Sequence, residues 1–112
     1  MLFRSARYDD AIRKFEASIK KDPAYVNAYL NMGAAYEFKL DYVRAIKAYE
    51  EVALNTNGRA DMAVSFIRTG DVYLKMKLKD KAKAYYEKAI DTCGNRLQDL
   101  KEVAENRLYK IK

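Results

Sequence analysis

A recurring pair of residues, a small one followed four positions later by an aromatic one, constrains the fold of this 112-residue chain more than any other feature. The pair occurs three times, as Ala11 with Phe15, Ala45 with Tyr49, and Ala82 with Tyr86. The first two copies are 34 residues apart, and the second and third are 37 apart. A period of about 20 to 50 residues is typical of proteins that stack copies of one supersecondary unit. The sequence therefore predicts a repeat architecture.

A second landmark recurs with the same offset of 37 residues. The two segments read Tyr29-x2-Met32-Gly33-x2-Tyr36 and Phe66-x2-Thr69-Gly70-x2-Tyr73. Together with the small–aromatic pairs and Pro23, they resemble the tetratricopeptide repeat, a helix–turn–helix unit of about 34 residues. The resemblance covers residues 2–96, and it implies an all-α fold whose helix pairs stack into a right-handed α-α superhelix.

The apolar residues predict helices independently of the resemblance. In the segment 42–54, apolar residues recur at spacings of three and four, which places them on one side of a helix, and no segment alternates as a β-strand does. Gly33 lacks a side chain, so we expect the paired helix to approach closely there. The predicted helices cover residues 8–20, 24–39, 42–54, 60–76, 79–92 and 96–110.

We expect one domain over residues 1–112, which the positions of the repeat motifs divide into four segments. These are a partial repeat that lacks most of its first helix, two repeats and a C-terminal capping helix, at residues 2–25, 26–59, 63–96 and 97–112. Leu2 and Phe3 then belong to the end of the incomplete first helix, and an apolar face around Ile12 and Phe15 is uncovered. Either the chain is a piece of a longer array, or a second copy covers this face in a homodimer.

Composition excludes most catalytic chemistry. The chain has no histidine and a single cysteine, Cys93, which excludes histidine-based triads, cysteine-cluster zinc sites and internal disulfides. No glycine-rich phosphate loop or metal-ligand spacing is present. We therefore predict that the chain is not an enzyme and holds no cofactor or metal. No apolar run approaches the roughly 18 residues of a membrane span, and with the free thiol we predict a cytoplasmic protein without membrane insertion.

The family resemblance implies a binding surface. In tetratricopeptide repeats the first helix of each repeat lines a concave groove that binds a peptide or a helix, which here assigns the groove to the helices predicted over 24–39 and 60–76. The groove-facing candidates are Asn27, Leu30, Asn31, Ala34, Phe38, Ile67, Arg68, Asp71 and Lys75, with Val64 beside them.

Asn31 and Arg68 match two positions of the clamp with which some members of the family hold a peptide's C-terminal carboxylate. Arginine offers a planar pair of donors to a carboxylate, and asparagine can bond to it or to a peptide backbone. Val64 replaces a clamp lysine, and the remaining clamp positions would precede this sequence. In the alternative interpretation, Arg68 pairs with Asp71 three residues later on its own helix.

Five lysines lie between Lys75 and Lys83, in a chain whose net charge is +6. The run spans a predicted helix–turn–helix corner, so its side chains point in several directions rather than forming one stripe. We interpret it as a solvated corner, with an acidic partner as the alternative. Nucleic acid is the least favoured partner, because no aromatic residue interrupts the run as a stacking platform.

The sequence thus predicts a protein–protein interaction scaffold that presents a rigid groove to a partner peptide or helix. The alternative is a structural assembly or self-association module of a larger multi-protein complex.

Overall fold

The computed structural model describes residues 2–111, with side chains from Ala6 onward. Within this part of the chain the backbone forms helices only, and no strand occurs. The helices are α1 Leu2–Lys21, α2 Val26–Phe38, α3 Tyr42–Asn55, α4 Arg59–Lys75, α5 Lys79–Cys93 and α6 Gln98–Lys110. The predicted all-α helical-repeat fold is confirmed.

The chain divides into two compact units, one ending at Asn55 and the other beginning at Thr56. In the N-terminal unit, α2 packs against both α1 and α3. In the C-terminal unit, α5 packs against both α4 and α6, and α6 also contacts α4. Each unit therefore contains one tightly paired hairpin, α2–α3 or α4–α5, with one further helix packed on it.

The predicted start of the first helix was wrong. Helix α1 begins at Leu2 rather than at residue 8, so Leu2 and Phe3 continue the helix that carries Ile12 instead of ending a preceding one. The intervening segment, residues 4–7, contains no glycine, proline or asparagine that would break a helix. The side chains of Leu2 and Phe3 lie outside the described residues, and the division into repeats stays a prediction.

A glycine on the first helix of each hairpin receives a tyrosine ring from the second helix. The close approach expected at Gly33 is thus present, and the residue that makes it is Tyr49. The rings of Tyr49 and Tyr86 are fully buried. A Cβ atom on Gly33 would lie 2.7 Å from Cδ1 and Cζ of Tyr49, and one on Gly70 would lie 2.7 Å from Cε1 of Tyr86. Real Cβ atoms do not approach carbon this closely, so only glycine allows the two helices of each hairpin to pack at this distance.

Both tyrosine hydroxyls have acidic hydrogen-bond partners on the facing helix. The hydroxyl of Tyr49 donates to Oε2 of Glu37, and that of Tyr86 donates to Oδ1 of Asp71. A buried tyrosine normally satisfies its hydroxyl in this way. Each ring is thereby fixed both by its packing and by its polar end.

The turns of the two hairpins share one geometry at the same 37-residue offset. Leu40 and Lys77 have φ angles of 63° and 62°, the left-handed region that most non-glycine residues avoid. The next residue in each turn donates its N–H to a carbonyl of the preceding helix, from Asp41 to Tyr36 and from Leu78 to Tyr73, both at 2.9 Å. This is the Schellman pattern that ends many helices. The two hairpins therefore correspond residue by residue across the turn.

Helix α6 completes the core of the C-terminal unit. Ala104 is fully buried and lies in one cluster with Ile67 of α4 and with Ala82, Tyr86 and Ala89 of α5. Leu100, Val103, Leu108 and Ile111 pack against this cluster from α6 and the residue that follows it. These side chains form the face that α6 buries.

We predict that Gly33→Ala and Gly70→Ala each lower the free energy of unfolding by about 1–3 kcal/mol, because the added methyl group displaces a fully buried ring. The measurement is chemical denaturation followed by circular dichroism.

Gly58→Ala is the matched control, because a Cβ there would meet its nearest atoms at 3.5 Å and 3.6 Å, which is ordinary contact. We expect it to change the free energy of unfolding by less than about 1 kcal/mol. Equal effects of all three substitutions would contradict the role of the glycine–tyrosine contacts.

Candidate functional site

One side of α2 carries the first five predicted groove residues, and we call it the α2 face. The spacings of three and four residues from Asn27 to Phe38 place these residues on the same side of the helix. Asn27, Asn31 and Phe38 are exposed, and Leu30 and Ala34 are half-buried. The α2 face therefore presents two amide side chains and one ring to solvent.

Phe38 is held in place by a ring from α1. Its ring lies parallel to that of Tyr8, with the centroids 5.2 Å apart and an interplanar angle of 7°. The Phe38 side chain is nevertheless 67% exposed. Aromatic rings attract one another in an offset parallel arrangement with this centroid distance. Tyr8 therefore fixes the orientation of the Phe38 ring, which is still exposed to solvent.

The corresponding side of α4, which carries Ile67, Arg68, Asp71 and Lys75, is only partly open. Arg68 and Lys75 are exposed, whereas Ile67 is 5% exposed and belongs to the core beside Ala104. Ile67 was predicted to face a ligand, but the packing of α6 removes it from the surface.

Asp71 lies in a polar network that joins all three helices of the C-terminal unit. Its carboxylate accepts hydrogen bonds from the hydroxyl of Tyr86 at 2.5 Å and from the guanidinium of Arg107 at 2.9 and 3.3 Å. The alternative in which Asp71 pairs with Arg68 is therefore not the arrangement found. Asp71 connects the helices rather than standing ready for a ligand.

The network changes the acidity of its members. Burial, together with the hydrogen bond to Asp71, raises the pKa of Tyr86 well above its ordinary value. The same carboxylate raises the pKa of Arg107 by hydrogen bonding to it. Sequence reasoning missed Arg107, because it follows Asp71 by 36 residues and no local spacing connects the two.

The lysine-rich corner has aromatic neighbours that the sequence did not indicate. Lys81 Nζ lies 5.6 Å from the centre of the Tyr73 ring, and Lys88 Nζ lies 4.6 Å from that of Tyr85. Ammonium groups at this distance from ring faces make cation–π contacts. Lys81 belongs to the lysine run, whereas Lys88 lies five residues beyond its end.

The exposed apolar surface of the N-terminal unit is not where the sequence placed it. Ile12 is 5% exposed, because α1 packs against α2. The large apolar side chains that are most exposed near the α2–α3 turn are those of Phe38, Leu40 and Val43, at 67%, 71% and 71%. The expected uncovered face around Ile12 is therefore not found, and the exposed apolar side chains of this unit near the turn are Phe38, Leu40 and Val43.

Cys93 is fully buried, and burial raises the pKa of its thiol. Across residues 2–111, no three histidine, cysteine, aspartate or glutamate side chains form a group that could hold a metal ion. No helix in the described part of the chain combines the length and apolar character of a membrane span.

Two models of known protein families match the chain. One, described as a TPR repeat, matches residues 1–38, and the other, described as a tetratricopeptide repeat, matches residues 63–95. Together they cover more than half of the sequence.

A curated relative from Arabidopsis thaliana, the tetratricopeptide repeat domain-containing protein PYG7, chloroplastic, is 43% identical over 51 residues. The matched segment is 46% of this chain and 17% of the relative, so the chain spans a small part of that protein's length.

Two solved structures of the Yersinia enterocolitica type III secretion translocator chaperone SycD are similar in fold. One, described as an alternative dimer, has a TM-score of 0.79 at 22% identity and covers 97% of this chain and 82% of that one. The other has a TM-score of 0.78 at 20% identity, with coverages of 97% and 74%. At these identities the likeness concerns the fold alone.

We predict that Tyr86→Phe lowers the free energy of unfolding by about 1 kcal/mol at neutral pH, because it removes one hydrogen bond to Asp71. The raised pKa of Tyr86 means that its contribution is fully present below about pH 10, where the tyrosine of the unfolded chain ionises, and is lost as the pH rises further. The variant should therefore lose less stability than the wild type in alkaline solution. Chemical denaturation at a series of pH values measures both effects.

Tyr25→Phe is the control, because Tyr25 is 47% exposed. We expect its stability to follow that of the wild type at every pH. If Tyr86→Phe shows the same alkaline loss as the wild type, the Asp71 network does not control the ionisation of Tyr86.

Proposed function

Because this chain belongs to the tetratricopeptide-repeat family, we propose that it is a non-catalytic scaffold that binds a partner peptide or helix along the α2 face. The observation that carries the proposal is the α2 face itself, where two exposed amides lie on the same side as the exposed ring of Phe38. Asparagine amides can bond to a peptide backbone, and the ring offers apolar contact.

Arg68 is the contact that we assign to α4. It is exposed, and the carboxylate of Asp71 is engaged by Tyr86 and Arg107 instead. An exposed guanidinium can pair with an acidic side chain or a terminal carboxylate of the partner. We therefore keep Arg68 as a candidate contact of the C-terminal unit, separate from the α2 face, and omit Ile67 and Asp71.

The solved neighbours are named as translocator chaperones, which supports a protein-binding role for this fold. The curated relative is named as chloroplastic, and the cytoplasmic location stays a prediction for this chain. Nothing in the arrangement of the described side chains requires a cofactor for such a role.

The test uses peptides selected from a phage-displayed random library on the wild-type protein. We predict that Asn31→Ala combined with Arg68→Ala raises the Kd of the selected peptides by about tenfold or more, because polar contacts to the peptide are removed. Isothermal titration calorimetry measures the affinity, and circular dichroism checks that helicity is unchanged.

Arg13→Ala combined with Asn57→Ala removes the same side-chain types from α1 and from the loop before α4, where both residues are exposed. This control should bind as the wild type does. Selected peptides that bind the Asn31 and Arg68 variant equally well would contradict the proposed binding face.

A second candidate function is self-association within a larger assembly. The exposed apolar side chains of Leu40 and Val43 support it, because solvent-exposed apolar groups close together along the chain are typical of protein contacts. One of the solved neighbours is itself described as a dimer.

We predict that the sedimentation coefficient of the wild type rises with concentration, and that Leu40→Lys combined with Val43→Lys abolishes the rise by placing charges in the contact. Leu54→Lys is the control, because Leu54 is 78% exposed at the opposite end of α3. A wild type that remains monomeric up to high micromolar concentration would contradict self-association.

A further inference from the structure

The correspondence between the α2–α3 and α4–α5 hairpins allows their side chains to be compared position by position. Gly33 with Gly70, Tyr36 with Tyr73, and Leu40 with Lys77 occupy equivalent places, each pair 37 residues apart. The two hairpins differ most in volume at one position, where α3 carries Ala48 and α5 carries Tyr85.

In the C-terminal unit the ring of Tyr85 fills the space beside α4. It stacks on Tyr73 with the centroids 5.5 Å apart and lies 6.1 Å from Phe66. Lys88 lies above the Tyr85 ring. This part of the hairpin is therefore closed by an aromatic side chain of the chain itself.

In the N-terminal unit the equivalent space is a cavity, because Ala48 contributes only a methyl group. The cavity has a volume of about 230 Å³ and is lined by Met32, Tyr36, Arg44, Lys47, Ala48 and Glu51. Tyr36 is the counterpart of Tyr73, on which Tyr85 stacks. Ala48, the counterpart of Tyr85, has no ring that could stack on Tyr36 in the same way. We call this space the α2–α3 cavity.

The polar groups of the α2–α3 cavity differ from those around Tyr85 at two positions. Lys47 stands where the C-terminal unit has Ala84, and Glu51 stands where it has Lys88, so a carboxylate replaces the ammonium group that lies over the Tyr85 ring. Oε2 of Glu51 accepts a hydrogen bond from Nδ2 of Asn55 at 3.2 Å, and the carboxylate has further acceptor positions for a ligand. A carboxylate repels the face of an aromatic ring, but it accepts a hydrogen bond from a phenolic hydroxyl.

Arg44 is held at the same cavity by Asp41. The guanidinium donates to Oδ2 of Asp41 at 2.9 Å, and the backbone N–H of Arg44 donates to Oδ1 at 3.2 Å. The pairing reduces the conformational freedom of the arginine before any ligand arrives. The cavity thus combines a ring, a thioether and a methyl group with a few fixed polar groups, as ligand-binding pockets do.

We propose that the α2–α3 cavity binds the side chain of a tyrosine on a partner polypeptide, with its ring against Tyr36 and its hydroxyl bonded to Glu51. Tyr85 in the C-terminal unit shows that this place in the hairpin has the volume of an aromatic ring, but a partner's ring enters from solvent, with its hydroxyl rather than its face toward Glu51. This site is separate from the α2 face, because Met32 and Tyr36 point to the other side of α2 from Asn27 and Asn31. It therefore does not depend on the proposed function of that face.

The test titrates the wild-type protein with p-cresol, the side-chain analogue of tyrosine, and with a short peptide that contains one central tyrosine. Methyl NMR spectra follow Met32 and Ala48. We expect saturable shifts of both methyl signals with either probe, and no shifts with the same peptide carrying serine in place of tyrosine. Methyl signals of Met32 and Ala48 that do not move with p-cresol would overturn the proposal.

Two substitutions separate this site from the rest of the protein. Ala48→Tyr reproduces the arrangement of the C-terminal unit and should weaken p-cresol binding by at least about tenfold. Tyr85→Ala opens space on α5 without the carboxylate, because Lys88 stands in the place of Glu51, and it should add no second binding event at the new alanine methyl group. Wild-type affinity in the Ala48→Tyr protein would contradict the assignment.

Tyr36→Ala provides an independent test should Ala48→Tyr not fold, because it removes the stacking ring instead of filling the space. It should also weaken p-cresol binding by at least about tenfold. Phe38→Ala alters the α2 face and should leave p-cresol binding unchanged. Loss of binding in Phe38→Ala but not in Tyr36→Ala would place the site on the α2 face and overturn the proposal.

Discussion

The close contact between a glycine on one helix and a buried tyrosine ring on the next determines how each unit of this protein is built. Gly33 receives Tyr49, and Gly70 receives Tyr86, at a separation that leaves no room for a Cβ atom. Because each ring is also hydrogen-bonded at its hydroxyl, the two helices are fixed in both distance and register. The positions of the surface residues on α2 and α4 follow from these contacts.

The same contacts decide which predicted ligand residues remain on the surface. Tyr86 donates its hydroxyl to Oδ1 of Asp71, and Arg107 donates from α6 to both oxygens of the same carboxylate. Asp71 thereby becomes part of the connection between three helices, and α6 covers Ile67 as it packs. On α2 the corresponding side stays open, so the α2 face carries most of the proposed contacts, and Arg68 is the one that α4 retains.

The sequence predicted the parts of the structure that depend on periodic spacing. The helices, including that of residues 98–110, follow from apolar residues three and four positions apart, and the close helix approach at Gly33 follows from its missing side chain. The burial of Ile67 and the pairing of Asp71 with Arg107 did not follow, because they depend on where α6 packs, and no local pattern encodes a contact between residues 36 positions apart. The left-handed backbone of Leu40 could not be predicted either, because glycine is the residue that usually indicates this conformation at the end of a helix.

In a protein with an internal repeat, one copy can be compared with the other to find a cavity that only one of them has. Two hairpins with the same glycine–tyrosine packing and the same turn would be expected to fill the same volume, so a change in side-chain size at one position leaves space in one copy that the other copy fills. The exchange of Tyr85 for Ala48 is such a change, and it coincides with the exchange of Lys88 for Glu51 one turn further along the helix. A loss of volume alone would only weaken the packing of the N-terminal unit. A loss of volume accompanied by a carboxylate that suits a phenolic hydroxyl favours a cavity that a partner's side chain completes.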